Sequence, residues 1–284
     1  MSRQRRNRRG ASLTERKGAP KRLPQLPWRQ VINPYPPLAI VSEDELEAIH
    51  LASLRILEEM GIELVNDHGL DLFAAAGADV DRATGIVKVD REIIARAVAG
   101  APAQFTLTPR NPERRLTFGG NHVNFTLVAG PPNVHDREGG RRAGNFEDYC
   151  NFIRLAQYFN IIHMIGNQVV APVELPVNTR HLDTYDANLT YSDLVFLATA
   201  IGRGRVLDGI HMTAIVRGIS LDEIIADPSL TTIISINSPR KIDDAMADGL
   251  IAMAEHGQPV CVTPFTLMGA MTPVTLAAGL AQQN

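Results

Sequence analysis

The sequence predicts an α/β chain: about five βα units of an incomplete TIM (β/α)8 barrel, preceded by a mixed α/β subdomain. Three observations carry this. From about residue 120 the pattern becomes strand then helix and repeats about every 30 residues. The strands, such as Ile161–Ile165 and Val260–Phe265, are apolar runs rather than alternations, which suits parallel strands covered on both faces. No Gly-x-Gly-x-x-Gly follows the first strand, which argues against the dinucleotide-binding version of a doubly wound sheet. A barrel needs about three more units than this chain contains, so the expectation is a fold that stops inside helix five.

The elements follow in order. Residues 1–41 are read as a basic, disordered leader and a proline-rich arm. Residues 1–22 carry seven Arg and two Lys against Glu15 alone, whereas the whole chain has a net charge of −3. A basic tail on an acidic body is not a nucleic-acid-binding domain as a whole. The arm, 23–41, holds five prolines and Trp28 and is expected to lie on a neighbouring surface. Residues 42–118 form the N-terminal subdomain. Ser42-Glu-Asp-Glu45 is a capping box opening a helix with Leu46, Ile49, Ile56, Leu57 and Met60 on one face, and Gly61 stops it. A short helix over 65–76, a strand at 85–89, a helix over 91–98 and strands at 104–108 and 115–118 follow.

Residues 119–284 are the partial barrel. Its strands are predicted at 123–128, 161–165, 194–199, 232–236 and 260–265, and its helices after Asn145, over 179–189, near 205–217, over 240–256 and from Val274. A turn centred on Gly139-Gly140 separates the first strand from the Asn145 helix. Cys150 and Cys261 are far apart and outside any CxxC pair, so neither a disulfide framework nor a zinc–thiolate site is expected. No apolar run reaches the length of a membrane span. The expectation is a reduced cytoplasmic protein without a membrane partner.

Chemistry in such folds collects at the C-terminal ends of the strands. Here those ends offer amides, hydroxyls and aromatics: Asn167 after strand two, Phe196 on strand three, Asn237 and Ser238 after strand four, Phe265 at the end of strand five, and Met268, Gly269 and Thr272 after it. No catalytic acid, base or nucleophile and no metal-ligand set emerges. Ser238-Pro239 and Thr272-Pro273 each read as a hydroxyl cap with proline at the first helical position, so both helix ends could face an anion; they could equally be good helix starts and nothing more. Phe125, Phe196 and Phe265 could form aromatic walls for a quaternary ammonium, or simply core. His163 and His211 read as a satisfied core histidine and a helix-face histidine. His135-Asp136 and Arg141-Arg142 read as a solvated hairpin.

Gly130-Pro-Pro-Asn-Val-His-Asp136, Gly140-Arg-Arg142, Tyr191-Ser-Asp193, Ile236-Asn-Ser-Pro239 and above all the run from Pro264 to Asn284 resemble the trimethylamine methyltransferase family, which also includes betaine demethylases. The resemblance covers Ser42 to Asn284. It implies a TIM barrel that binds a small methylated amine and passes a methyl group to the Co(I) corrinoid of a separate corrinoid protein. No cofactor would be bound directly: Asp208-Gly-Ile-His211 is one residue off the cobalamin-ligating Asp-x-His-x-x-Gly spacing. Pyrrolysine in the trimethylamine enzymes lies beyond the stretch matched here, so that choice stays open, as does a homo-oligomer. A non-catalytic betaine- or carboxylate-binding barrel and an inactive fragment are the alternatives.

Overall fold

The structure, a computed structural model, describes residues 23–237 and 239–284. The leader over 1–22 and the capping role given to Ser238 lie outside the described residues. Val31–Ile32 (β1) is the one paired stretch of an extended arm. Trp28 of this arm meets His163 edge-on, with ring centroids 5.8 Å apart, and the Arg114 guanidinium lies 4.7 Å from the Trp28 ring centroid. His163 is fully buried. Its Nδ1 accepts the Phe125 N–H at 2.9 Å, and its Nε2 lies 3.0 Å from the Arg29 carbonyl oxygen, so the neutral Nε2–H tautomer satisfies both.

Burial holds the His163 pKa below its ordinary value. The unfolded chain therefore takes up the proton first as pH falls. This contribution to stability is complete above about pH 6.5 and is lost as pH drops through the lower folded value. Thermal unfolding scanned from about pH 8 to about pH 5 should show Tm declining below about pH 6.5. His163→Gln should flatten that decline, and an unchanged slope in the variant would assign it to other groups.

Ser42 and Glu45 form the reciprocal capping box, at 3.2 and 2.8 Å, that starts Glu43–Arg55 (α1). The helix runs on through a π turn at Ile56–Met60 and stops at Gly61, whose φ of 71° only glycine adopts freely. Of the expected apolar face, Leu46 and Met60 stay exposed, and the residues of α1 that are buried are Ser53 and Leu54, the latter outside that face. Ile62–Leu64 (β2), Asp67–Ala75 (α2), Asp79–Asp81 (β3), Ile86–Lys88 (β4) and Arg91–Gly100 (α3) complete a small α/β layer. Gln104–Leu107 (β5) and Leu116–Gly119 (β6) form an antiparallel hairpin. His122–Val123 (β7) pairs with β1, so the strand expected over 123–128 is shorter and begins elsewhere. Only Thr126 of that stretch bridges onward, parallel to Met164. Asn133–Asp136 (β8) and Gly140–Ala143 (β9) are the expected hairpin.

The repeating part follows: Phe146–Tyr158 (α4), Met164–Ile165 (β10), Arg180–Tyr191 (α5), Val195–Phe196 (β11), Arg203–Arg217 (α6), Leu221–Ala226 (α7), Thr232–Ile236 (β12), Lys241–Ile242 (β13), Asp244–Glu255 (α8), Val260–Pro264 (β14) and Leu276–Gln283 (α9). The parallel pairs β10–β11 and β12–β14 are joined by a parallel bridge at Leu197–Thr231, and Thr126 bridges parallel to Met164 on the other side of β10. Neighbours along the chain are thus neighbours in space, without the reversal of order that marks a doubly wound sheet. The result is a mixed α/β fold whose sheets do not close into a barrel among the described residues.

Side chains divide the strands into two faces. Ile165, Phe196 and Ala198 join the main core with Tyr149, Ile153, Tyr185 and Ile210 from α4, α5 and α6. Met164, Val195 and Leu197 face the other way, against Leu107 and Leu116 of the β5–β6 hairpin. On β14, Cys261, Val262 and Thr263 are exposed, and β12 is its sole strand partner among the described residues.

Two expected helix starts are corrected. Lys241–Ile242 does not begin a helix but pairs parallel with β2, held by the Lys241–Glu63 ion pair at 2.6 Å and by Arg240 donating to the Gly61 carbonyl at 2.6 Å. α8 therefore starts at Asp244, capped by Asp243, whose carboxylate accepts the Met246 N–H. Similarly, Thr272 is not the cap of α9. Residues 267–272 form a turn in which Gly269 donates to the Thr272 carbonyl at 2.9 Å, and α9 begins after Thr275. α7, opened by a further capping box at Ser220 and Glu223, is an element that the strand–helix rhythm did not anticipate.

Candidate functional site

The ends of β10 and β11 are the best-supported strand ends in the fold. Gly166, Asn167 and Gln168 follow β10. A Cβ on Gly166 would meet the backbone oxygens of Leu127 and Val128, the latter at 2.9 Å, so only glycine lets the segment at 127–128 approach. Gln168 sits at φ 46°, a left-handed conformation costing a non-glycine residue about 1 kcal/mol, and its carbonyl accepts the Gly130 N–H at 2.9 Å. Strain held by packing at a strand end is a mark of functional loops.

Thr199 lies on the next strand end, buried, on the face that Val195 and Leu197 share by alternation. Its hydroxyl donates to Asn167 Oδ1 at 3.0 Å. Its backbone N–H donates to the Tyr185 phenol oxygen at 2.8 Å, and that phenol donates to the Arg205 carbonyl at 3.0 Å. Tyr185, 1% exposed, is wedged between Phe196 and the edge-on His181 ring, with Gly209 against its ring carbons. Burial is the main cause that pushes its pKa up to about 12, so the phenol stays a neutral donor. Behind the loop, Gly202 donates to the Ala245 carbonyl at 2.8 Å and Gly249 of α8 lies on Ala200.

The remaining expected residues are scattered. Phe196 is 2% exposed in the helix-facing core, so it presents no face to a ligand, because its position in the alternation turns it away from the sheet interior. Phe125 stacks on His163. Asn237 and Phe265 meet in a cavity of about 370 Å³ with Ser53, Arg240, Val262 and Gln282, between the end of α1 and α9. Asn237 bonds Asp243 Oδ2 at 3.1 Å. Met268 and Gly269 are exposed and Thr272 buried in the turn before α9, where Met268 packs on Gly279. Among the described residues neither helix begins where the Ser-Pro and Thr-Pro anion sites were expected: one starts at Asp244 and the other after Thr275.

Tyr185 escaped the sequence reading. The signal was there: His181, Tyr185 and Asn188 recur at helical spacing in an otherwise polar segment, and all three are buried. Among the described residues no cluster of His, Cys, Asp or Glu could hold a metal ion. The strand ends hold neutral amide and hydroxyl groups on rigid supports, an arrangement suited to orienting a small molecule.

Fold and site together define a mixed α/β chain whose sequence-adjacent parallel strands present a polar constellation at their C-terminal ends. Comparison with known families matches residues 3–284 to the trimethylamine methyltransferase family, to which the chain belongs. It is 34% identical to a glycine betaine methyltransferase of Desulfitobacterium hafniense over 88% of this chain and 51% of that protein. A trimethylamine methyltransferase of the same species is 28% identical, over 87% of this chain and 50% of that protein. A proline betaine:corrinoid methyltransferase of Eubacterium limosum is 24% identical, over 86% and 51%. The chain spans about half the length of these relatives.

Proposed function

We propose that this chain provides the substrate-orienting strand ends of a methyltransferase that moves a methyl group from a small methylated amine to the corrinoid of a separate protein. The family match across residues 3–284 carries this reading, supported by relatives named for glycine betaine, proline betaine and trimethylamine. The strand order β10, β11, β12, β14 supports a (β/α)8 barrel whose remaining strands would add to the free side of β14.

The bound corrinoid of the partner would supply the nucleophilic metal centre. The Asp208-Gly-Ile-His211 run departs from the cobalamin-ligating Asp-x-His-x-x-Gly spacing. In Asp208-Gly-Ile-His211, Asp208 is engaged by His181 Nε2 at 2.8 Å and His211 lies exposed on α6. The protein's share is to exclude water, hold the ammonium head and set the line of approach to the methyl carbon. Two unpaired cysteines, and the absence among the described residues of a helix long and apolar enough to cross a membrane, fit a cytoplasmic setting.

The purified protein, mixed with a reduced corrinoid protein and a methylated amine, should change the corrinoid absorbance as methyl is transferred and yield the demethylated amine by mass spectrometry. Binding of the amine without any demethylated product would instead identify a non-catalytic betaine-binding protein.

A further inference from the structure

We propose that the Asn167 carboxamide is a specificity-determining group that donates to a carboxylate on the substrate, oriented for this by Thr199 and Tyr185. This rests on the methylated-amine reading and narrows it to a quaternary ammonium that also carries a carboxylate.

The argument runs from buried groups outward. Tyr185 is held on three sides by His181, Phe196 and Gly209, and its oxygen is committed to the Thr199 N–H and the Arg205 carbonyl. Thr199 is therefore fixed in backbone position, and its hydroxyl bonds Asn167 Oδ1 at 3.0 Å. That bond consumes the acceptor end of the amide. The Nδ2 end, with two N–H groups, is left at a half-buried strand end without a partner among the described residues. An amide whose oxygen is anchored from behind is a pre-oriented donor, and it loses little entropy on engaging a ligand. The strained Gln168 backbone and the closely approached Gly166 on either side hold the amide's own backbone in place.

A free donor pair selects by charge. A carboxylate accepts from it, whereas tetramethylammonium and protonated trimethylamine have no acceptor to offer. The helices in question start at Asp244 and after Thr275 rather than where the sequence suggested an anion would bind. Asn167 would touch the substrate, and Tyr185 is a positioning residue acting through Thr199.

The test is calorimetric titration of the protein with glycine betaine and with tetramethylammonium, which share the quaternary head and differ in the carboxylate. Wild type should bind glycine betaine at least about tenfold more tightly. Asn167→Asp keeps size but turns the donor into a carboxylate, and should abolish or reverse that ratio. Tyr185→Phe should weaken glycine betaine more than tetramethylammonium, whereas a merely structural role would weaken both alike. Equal wild-type affinities, or an unchanged ratio in Asn167→Asp with far-ultraviolet circular dichroism intact, would overturn this inference and leave the methylated-amine reading standing. No binding of either ligand, together with no demethylation of any methylated amine, would overturn both.

Discussion

Gly249→Ala should destabilise the protein by about 3 kcal/mol, the upper end of the usual cost of overpacking, although alanine is the better helix former. A Cβ at this position would fall on the Ala200 backbone, 2.8 Å from its carbonyl carbon and closer still to its oxygen. Backbone cannot swing aside as a side-chain end can. α8 must retreat from the loop after β11, loosening the Gly202–Ala245 hydrogen bond at 2.8 Å that ties the two together. The propensity gain, about 1 kcal/mol in an open helix, is too small to offset this. Gly204 in α6 is the control: nothing lies within 4 Å of its would-be Cβ, so Gly204→Ala should be neutral or stabilising. Urea unfolding of the two variants decides the matter. A Gly249→Ala midpoint equal to wild type would mean that α8 shifts without cost and does not support the strand end.

Tyr149→Ala should cost about 3–5 kcal/mol, as for other fully buried aromatic truncations. The side chain is completely buried on α4, in the core shared with α5 and α6, and its phenol donates to Asn188 Oδ1 at 2.8 Å. Removing it leaves a cavity between helices and an amide oxygen without its donor. Tyr149→Phe separates the two effects, since it keeps the ring and removes only the hydrogen bond, for about 1 kcal/mol. If both variants lost the same amount, the polar contact rather than the packing would hold α4 to α5.

The local chemistry of the chain was legible where it is self-contained. The Ser42–Glu45 and Asn145 caps, the Gly61 stop and the Gly139-Gly140 hairpin fall where the residue pattern puts them. Each depends on partners within a few residues, so the pattern contains its own cause. The errors lie where a distant partner competes. Ser238-Pro239 looked like a helix start, but Lys241–Ile242 pairs with Glu63 and Leu64, far back in the chain. Thr272-Pro273 looked like another, but a turn takes up the Thr272 carbonyl first. Phe196 was placed at the site by its strand, yet one step in the alternation sends it to the helix layer. Of the expected site residues, Asn237 and Phe265 share one cavity, and Asn167 stands apart with Thr199.

By itself the sequence determined the α/β rhythm, the capped helices and the apolar strands, because periodicity and local capping are written in neighbouring residues; the family came from the resemblance of its motifs. Only the tertiary structure decided which polar groups are spent and which remain free. Whether an amide or hydroxyl is available to a ligand depends on what else it bonds. For Asn167 the deciding groups are Thr199 and Tyr185, from the next strand end and from the helix packed behind it.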